Sequence, residues 1–578
     1  SPGSRIMGVV ALWIGDIIEG QLWAAGFDLV PRTEGWTSVP GYGYTYGTWN
    51  YTGKHKADII SNSWGVSEWA PLLLGLPCYD ILSMLEDALM IPGYLDPDYP
   101  GTVIVHAGGN GAAGYGTFTP PGCASLPIGV GASTSMNWTS LTLGFAGGYY
   151  DEVIPWSARG PTPLGYAKPD VVNIGARGFT ATTVWIGLGD GTQAMDLFGG
   201  TSMSTPLTAG VSSLIVQAYN QTYGDKPTPE LTKIILKSTA RDLGYDAFVQ
   251  GAGRVDAFLA VELALGKSGV TIASPATWTN VRSRMESAWS ISSAYLYQAL
   301  PPSPPPGLIN DTGWFADLVK PGGTATAEFT VMNPTANDMM ATITPSVHKP
   351  IGPVLEYEGY TGPMPADWTG WDWYWGNLTI LDKAIIPNDA DLMLVSLTIP
   401  YQYFDVNGDY VWDHRLGVCI QDWDDMDADG MINVTEVYQI NYGYNTGTSN
   451  EARVGFPNSK LKFTPVVFIY QRDAAWMTPI SVPFIVRVQF YKRVTWDWIT
   501  VPNSISIAAD SSQMFDATLS VPPNATQGVY EGQIILNIIA PYTRTIAIPV
   551  SVNVPAVIPA NALTYDITSP STTELFDP

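Results

Sequence analysis

The chain has 578 residues, an apolar fraction of 46%, a charged fraction of only 14% and a formal net charge of −25. Its 27 lysines and arginines are too few and too scattered to form a nucleic-acid-binding face. We find no apolar run long enough to span a bilayer, and no signal peptide in the first residues. The length predicts about three to four domains, each able to bury an ordinary core.

The composition favours an extracellular or cell-surface location. Charged side chains are scarce, whereas aromatic residues and Thr, Ser and Asn are abundant. Asn-x-Ser/Thr sequons point the same way, although chance also produces this tripeptide. The predicted glycosylation sites are Asn50, Asn137, Asn220, Asn310, Asn377, Asn433 and Asn524.

Residues 1–265 alternate between apolar runs and segments with helical spacing of apolar residues. We predict strands at 5–13, 58–64 and 102–106, and helices at 79–89, 202–219 and 228–238. This order predicts a parallel sheet with helices on both faces.

The last part of this region contains Gly199 and Gly200, followed by Thr201 and Ser202 at the start of a predicted helix. A glycine turn here exposes the Ser202 hydroxyl and directs free backbone N–H groups at whatever lies in front of it. A nucleophile that attacks a carbonyl needs an accessible oxygen and donors for the developing oxyanion. From these residues alone, a capped helix start in which Ser202 only accepts an N–H bond is the alternative.

Six segments, in the same order, resemble the subtilisin-like serine peptidases, or subtilases. Residues 200–206 resemble the nucleophile motif, and 1–9 resemble the turn and strand after the catalytic histidine helix. The other segments resemble the substrate-pairing strand (57–65), the oxyanion-hole segment (103–111), the stretch ahead of the serine (156–161 with 168–171) and the closing helix (251–257). The resemblance implies an α/β subtilisin-like parallel sheet, incomplete at its N-terminus, over residues 1–265.

The resemblance also implies a reaction, the hydrolysis of a peptide bond through acyl-Ser202. Ser202 is then the nucleophile, and Asn110 donates its side-chain amide to the oxyanion together with the Ser202 backbone N–H. Two segments are implied to bind the peptide substrate: Ser61, Asn62, Ser63, Trp64 and Gly65, and then Ala107, Gly108 and Gly109.

The family's catalytic aspartate and histidine precede the segment that opens this sequence. Of the four histidines, His106 lies in the strand that leads to Asn110 and is expected to point away from it. His55 lies in a predicted loop, and His348 and His414 lie beyond the peptidase region.

Two hypotheses follow. The chain is the serine-bearing part of a nicked or split endopeptidase, whose aspartate and histidine come from another chain or an upstream segment. Alternatively, it is a catalytically inactive subtilase-fold scaffold for self-assembly or a cell-surface layer. We favour the first, because a scaffold has no chemical need for Ser202, its glycine turn, Asn110 and a substrate strand together.

Three cysteines are present. Cys78 and Cys123 flank the oxyanion segment and are predicted either to form one disulfide that braces this side of the groove or to remain two buried thiols. Cys419 is left without a partner.

Beyond residue 265 the pattern changes. Residues 266–313 are predicted to be a connector, with a proline-rich extended stretch at 301–306 and a short helix within 283–297. Residues 314–578 show short alternating runs, clearest at 324–332, 392–399, 483–490 and 532–554, and predict an all-β sandwich of one or two domains. An aromatic stretch at 356–375 either packs a sheet edge or binds sugars or another subunit.

An insertion at about 401–455 carries a predicted Ca²⁺ site. Residues 425–436 fit the twelve-residue EF-hand loop, in which carboxylates, a carbonyl and a final glutamate bind the ion. The predicted ligands are Asp425, Asp427, Asp429, Met431 through its carbonyl, Asn433 and Glu436. A shorter loop upstream predicts a second site from Asp405, Asn407, Asp409 and Asp413. An acidic solvated loop is the alternative.

Overall fold

The computed structural model describes residues 3–11, 14–31, 47–66, 75–76, 78–111, 114–134, 153–154, 156–176, 178–181, 195–295, 307–361, 374–380, 385–406, 408, 414–432, 436–444, 451–457, 461, 463–474 and 481–556. The helices in these ranges are α1 (Ile14–Ala24), α2 (Ile81–Leu89), α3 (Thr201–Tyr223), α4 (Pro229–Ser238), α5 (Ala247–Gln250), α6 (Ala257–Ala264), α7 (Ala276–Tyr295) and α8 (Tyr401–Phe404). None of these helices is long and apolar enough to cross a membrane.

The strands of the first 265 residues are short. They are β1 (Phe27–Pro31), β2 (Gly47–Tyr51), β3 (Ile59–Asn62), β4 (Gly75–Leu76), β5 (Tyr79–Asp80), β6 (Val103–Ala107), β7 (Ile128–Ser133), β8 (Val171–Ile174), β9 (Gly178–Ala181) and β10 (Met195–Phe198). Four of them form a parallel sheet in the order β3-β6-β7-β8, with Asn62 beside His106 and Ala107 beside Val130.

Helices cover both faces of this sheet, as the sequence predicts. On one face, Val105 and Val130 pack with Ile215 of α3 and Leu236 of α4. On the other face, Ile104 packs with residues of α1 and α2. A parallel sheet buried on both faces needs apolar residues on both sides of each strand, and β6 and β7 are buried throughout.

The predicted strand at 5–13 is wrong over its described residues, 5–11. Residues 4–11 have no regular structure, and Ile6 and Val10 are 95% and 98% exposed. A strand needs a neighbouring backbone for its N–H and C=O groups, and no described strand pairs with this segment. Residues 251–257, which resemble the family's closing helix, lie mostly before the helix in the structure, because α6 begins only at Ala257.

A buried ion cluster lies beneath the sheet. The carboxylate of Asp170 is within 2.6 Å of the Lys168 ammonium, 3.0 Å of that of Lys233 and 3.2 Å of that of Lys237. Lys237 also contacts Asp311 of the connector at 2.8 Å. Burial opposes ionisation of Asp170, but the three ammonium groups outweigh it and hold the pKa of this carboxyl well below its usual range.

The connector is more ordered than predicted. It contains β11 (Thr271–Ala273) and the 20-residue helix α7, which begins seven residues before the predicted short helix at 283. Trp278, Val281 and Met285 of α7 are buried, so this helix packs against the body of the protein.

The remaining strands lie beyond residue 313. They are β12 (Trp314–Leu318), β13 (Thr324–Asn333), β14 (Met339–Tyr360), β15 (Tyr374–Ile380), β16 (Leu392–Thr398), β17 (His414–Trp423), β18 (Val437–Tyr444), β19 (Glu451–Pro457), β20 (Thr464–Ala474), β21 (Pro483–Thr495), β22 (Ile499–Thr500), β23 (Ser504–Ile507), β24 (Ser511–Ser520), β25 (Gly528–Ala540) and β26 (Arg544–Val554).

These strands form three sheets. The orders are β11-β13-β24-β22, then β12-β26-β25-β14-β21-β16-β19 with β23 beside β14, and β15-β20-β17-β18. Phe329 and Phe515 of the first sheet share one buried cluster with Leu536 and Val550 of the second, and a separate cluster joins Val486 of the second to Val418 of the third. One pairing, β12 with β26, is parallel, so the region is not purely antiparallel.

The residues predicted as an insertion are built into these sheets. β17 and β18 are paired strands of the third sheet, and β19 pairs with β16 at the edge of the second. The predicted EF-hand-like loop is therefore the connection between two antiparallel strands.

Polar contacts join the β region to the first 265 residues. Arg493 contacts Asp242 at 2.5 Å, and Asn553 Nδ2 donates to the Leu164 carbonyl at 2.8 Å. The Ala247 N–H donates to Glu531 Oε2 at 3.0 Å. Burial, with the nearby Asp246 carboxyl, raises the pKa of Glu531 to about 8.

We expect the Glu531→Gln variant to lose less stability than the wild type between pH 5 and pH 8. Because the folded-state pKa of Glu531 is raised from 4.5 to about 8, the stability it contributes is complete below pH 4.5 and is lost as pH rises through about 8. Calorimetric Tm values at the two pH values test this, with the exposed Glu328→Gln as the control. An equal fall in Tm for Glu531→Gln and the wild type would contradict it.

Candidate active site

The start of α3 is a tight turn that only glycine can form. Gly200 has φ 120°, a conformation that side chains disfavour, and its N–H donates to the Gly175 carbonyl at 2.8 Å. A Cβ at this position would lie 3.2 Å from the Asn110 amide nitrogen. The absence of a side chain at Gly200 therefore allows Asn110, three residues after the end of β6, to lie directly against the first turn of α3.

Two hydrogen bonds fix the orientation of the Asn110 side chain. Its Oδ1 accepts from the Thr201 N–H at 2.8 Å and from Thr201 Oγ1 at 2.9 Å. Thr201 Oγ1 in turn accepts from the Gly109 N–H at 3.2 Å. Because Oδ1 is held by Thr201, and Nδ2 has no acceptor among the described residues, the amide N–H groups are free for a ligand in front of α3.

Ser202 follows directly and contacts the end of β3. Its Oγ donates to the Ser63 carbonyl at 3.2 Å, and Ser63 Oγ donates to the Ser202 carbonyl at 3.0 Å. The structure thus brings together three elements that the sequence separates widely: the nucleophile candidate, the oxyanion candidate and the substrate-strand candidate.

The predicted substrate strand alternates in exposure. Ser61, Ser63 and Gly65 are exposed, whereas Asn62 is buried and Trp64 is partly buried. This period of two places Ser61, Ser63 and Gly65 on the exposed face of the segment.

Three glycines allow neighbouring residues to approach this strand closely. A Cβ at Gly65 would lie 3.1 Å from Thr119 Oγ1, and a Cβ at Gly109 would lie 2.8 Å from the same atom. A Cβ at Gly108 would overlap the Phe118 ring. Residues 61–65 and 107–109 therefore meet around residues 118 and 119, which the sequence reading did not single out.

The region that contains these residues is similar in sequence to known proteins. Residues 33–254 match the family model described as the subtilase family. This region is a subtilase domain. The matched range includes Ser202, Asn110 and both predicted substrate segments.

Curated relatives of the subtilase domain are peptidases. The chain is 30% identical to pyrolysin of Pyrococcus furiosus over 243 residues, which covers 38% of this chain and 16% of the relative. It is 32% identical to serine protease AprX of Bacillus subtilis over 167 residues, 27% of this chain and 34% of the relative. The chain therefore spans about a third or less of the length of these relatives.

Similarity to solved structures is weaker. The patellamide maturation protease PatA is 20% identical, with a TM-score of 0.25, and the match covers 37% of this chain and 64% of that one.

None of the four histidines, all of which the structure describes, forms a hydrogen bond to Ser202. His106 belongs to β6 and is fully buried, and this burial lowers its pKa to about 4. His55 stacks on Trp23, and His348 lies on β14, where burial also lowers its pKa to about 4. His414 is buried at the start of β17.

The subtilase domain contains a disulfide between Cys78 and Cys123, both fully buried, with 5.2 Å between their Cα atoms. It connects the segment before α2 to the segment between β6 and β7. Cys419 of the β region is a buried free thiol, and burial raises its pKa to about 12.

The loop between β17 and β18 brings three predicted calcium ligands together. One carboxylate oxygen from each of Asp425, Asp427 and Asp429 lies within 4.8 Å of the others. Gly430, with φ 71°, donates its N–H to Asp425 Oδ2 at 3.2 Å, so the loop turns where the motif has its glycine. Glu436 is buried apart from this group, where its Oε2 accepts from Trp423 Nε1 at 3.4 Å.

Other predicted ligands lie partly outside the described residues. Asn433 and, in the second loop, Asn407, Asp409 and Asp413 are outside them. Asp405 is described, and its Oδ1 accepts from the Gly408 N–H at 2.6 Å. Most of the aromatic stretch at 356–375 is also outside, including residues 362–373.

The described sequons differ in accessibility. Asn50, Asn220 and Asn524 are exposed, whereas Asn310 donates its Nδ2 to Glu230 Oε1 at 2.7 Å and is partly buried. Asn137 and Asn433 lie outside the described residues, as does the side chain of Asn377.

We expect one free thiol per chain when the protein is denatured without a reductant, and three after reduction. The reason is that Cys78 and Cys123 are paired while Cys419 is free. Thiol titration with a chromogenic disulfide measures both numbers, and the Cys419→Ala variant, as control, should show none before reduction. Three thiols before reduction would contradict the pairing.

Proposed function

We propose that this chain is the serine-bearing part of an extracellular subtilisin-like serine endopeptidase that hydrolyses peptide bonds through acyl-Ser202. The observation that carries the proposal is the arrangement of Asn110, Thr201 and Ser202. An amide with a fixed orientation and free N–H groups stands beside a hydroxyl at the start of a helix. Asn110 is exposed, so these N–H groups are accessible to a substrate carbonyl in front of α3.

The proposed chemistry begins with attack of Ser202 Oγ on the substrate carbonyl. The oxyanion receives hydrogen bonds from Asn110 Nδ2 and from the Ser202 N–H, which belongs to the first helical turn and has no intrahelical acceptor. The amine product leaves, and water then releases the acyl group from Ser202. The substrate backbone pairs with the backbone of residues 61–65.

A base must accept the Ser202 proton, and in the described structure this proton is donated to the Ser63 carbonyl. We propose that the base and its aspartate come from an upstream segment or a separate chain. The edge of β3 supports this proposal: among the described residues, β3 pairs only with β6, so its other edge has no strand beside it. The segment 3–11, which carries exposed apolar residues, approaches α3, where Ser4 Oγ is 3.5 Å from Ser213 Oγ.

We also propose that the loop at 425–436 binds Ca²⁺. The three clustered carboxylates repel one another when ionised, and a hard divalent cation compensates for this repulsion. Asp425, Asp427 and Asp429 would hold the ion with the Met431 carbonyl, Asn433 and Glu436. The ion would stabilise the β17–β18 connection, and a second ion is proposed for Asp405 and its three partners.

The exposed sequons Asn50, Asn220 and Asn524 support an extracellular or cell-surface, glycosylated protein. The surroundings of Asn310 do not favour modification there, because its amide nitrogen is already hydrogen-bonded.

The second candidate is an inactive subtilase-fold scaffold in a surface assembly. The observation that favours it is the bond from Ser202 Oγ to a backbone carbonyl, which is not a base. A serine without a base keeps only a small part of its rate enhancement.

We expect a fluorophosphonate to label Ser202 in the native assembly, because a complete triad makes its oxygen nucleophilic. Ser202→Ala should abolish labelling, and Ser204→Ala, which removes a buried hydroxyl two residues along α3, is the matched control. Asn110→Ala should lower kcat by about 100- to 1,000-fold, the loss known for the corresponding amide of subtilisin itself. An intact assembly with an accessible but unlabelled Ser202 would favour the scaffold.

We expect a chelator to lower the Tm measurably and added Ca²⁺ to restore it, because removal of the ion leaves the loop carboxylates uncompensated. In Asp427→Asn the chelator should shift the Tm less, whereas the exposed Asp225→Asn should respond like the wild type. Differential scanning calorimetry measures these shifts. A Tm that responds neither to chelator nor to calcium would retire the site.

A further inference from the structure

The predicted substrate strand rests on a buried polar cluster that the proposed chemistry does not use. We call it the Glu86 cluster: Gln21 of α1, Asn62 of β3, Glu86 of α2 and His106 of β6. Glu86 and His106 are 0% exposed, and Gln21 and Asn62 are 5% and 6% exposed. Polar groups buried this deeply are expected to be bonded to one another.

One carboxyl oxygen holds the cluster together. Glu86 Oε1 accepts from Asn62 Nδ2 at 2.8 Å and from Gln21 Nε2 at 3.0 Å. His106 Nε2 is 3.6 Å from the same oxygen, and His106 Nδ1 is 3.0 Å from the Ala107 carbonyl. With Nδ1–H donating to that carbonyl, Nε2 carries a lone pair toward the Glu86 carboxyl.

The cluster contacts both segments that are proposed to bind the peptide. Asn62 is bonded to Glu86, and the Trp64 ring meets the His106 ring edge-on, with 4.8 Å between centroids. Ser61, Ser63 and Gly65, which alternate with these two residues, are exposed. His106 lies in β6, which leads directly to Asn110.

We infer that Glu86 is a positioning residue for peptide binding: its buried carboxyl group bonds Asn62 and lies against His106, and so keeps residues 61–65 and 107–110 at the spacing that an extended peptide requires. This inference rests on the proposed peptidase function. It differs from it in naming a residue that touches neither the substrate nor the reacting atoms.

The charges around Glu86 agree with a neutral carboxyl. Burial raises the pKa of Glu86 well above its ordinary value, and the carboxylates of Asp80 and Asp87 raise it further, against the hydrogen bonds from Gln21 and Asn62. His106, the titratable group that faces it from β6, has its pKa lowered by burial to about 4. Among the described residues, no lysine or arginine forms an ion pair with Glu86.

A neutral carboxyl offers one acceptor and one donor. Oε1 accepts from the two amides, so the carboxyl proton lies on Oε2, which has no hydrogen-bond partner among the described residues. Ionisation of Glu86 would place a carboxylate beside the Nε2 lone pair of His106, which is 3.6 Å from Oε1, without a compensating cation. A glutamine at position 86 supplies the same pattern, an acceptor oxygen and a donor nitrogen, at every pH.

The test uses the assembled enzyme with two substrates, an extended peptide and a small activated ester that is too short to pair with residues 61–65. We expect Glu86→Leu to raise KM for the peptide about tenfold, the effect of losing about 1.4 kcal/mol of binding, with a smaller change in kcat. Ester hydrolysis should stay within twofold of the wild type. Glu86→Gln should restore the peptide KM.

The pH dependence separates the two variants further. As pH rises and Glu86 ionises, the peptide KM of the wild type should increase, whereas that of Glu86→Gln should stay flat. Asp87→Asn is the matched control, because Asp87 is the next residue of α2, is equally buried and instead accepts from the Leu126 N–H at 2.8 Å. At a pH low enough for Glu86 to stay protonated in both proteins, it should lower the Tm without changing the ratio of peptide to ester activity.

Hydrogen exchange on the chain itself gives a readout without catalysis. Glu86→Leu should speed exchange at residues 59–66 and 103–110, whereas Glu86→Gln should retain wild-type protection there. If the wild-type assembly shows no turnover, the proposed peptidase function is refuted, but hydrogen exchange still tests the positioning role of Glu86. Equal damage by glutamine and leucine, or equal loss of peptide and ester activity in Glu86→Leu, would overturn it.

Discussion

The contact between Asn110 and the first turn of α3 determines the geometry of the whole site. Two bonds from Thr201 hold the Asn110 oxygen, and the absence of a side chain at Gly200 allows this close approach. The same contact ties the end of β6 to the start of the helix that packs across the sheet. The nucleophile and the oxyanion donor are therefore linked directly through Thr201, the residue before Ser202.

The local parts of this arrangement are predictable from sequence, and the distant parts are not. A glycine turn before a helix is written in adjacent residues, so Ser202 and Asn110 are found by motif. In the Glu86 cluster, Glu86 bonds residues that are 24 and 65 positions away in the sequence, and no local sequence pattern predicts such contacts. Thr201 was visible in the motif, but its role as a bridge to Asn110 depends on a partner 91 residues away.

Prediction of the elements fails for the same reason. The apolar run at 5–13 has strand character, yet a strand exists only where another backbone pairs with it. The helix α7 was predicted too short because its first turns carry Thr and Asn, which favour helices weakly, and burial of Trp278 and Val281 compensates for this. In the β region, the alternating runs at 324–332, 392–399 and 483–490 each fall on one strand, whereas the run at 532–554 covers two strands, β25 and β26, and the turn between them. The parallel pairing of β12 with β26 depends on the tertiary fold.

The ion cluster around Asp170 affects where the subtilase domain can be separated from the rest. Three lysines share two carboxylates, and one of these, Asp311, belongs to the connector rather than to the first 265 residues. Cutting the chain after α6 would remove one of these two carboxylates from the three ammonium groups, and a folded interior tolerates a buried charge that has lost its partner poorly. The folded unit that contains the subtilase domain therefore extends past the residues that match the family and into the connector.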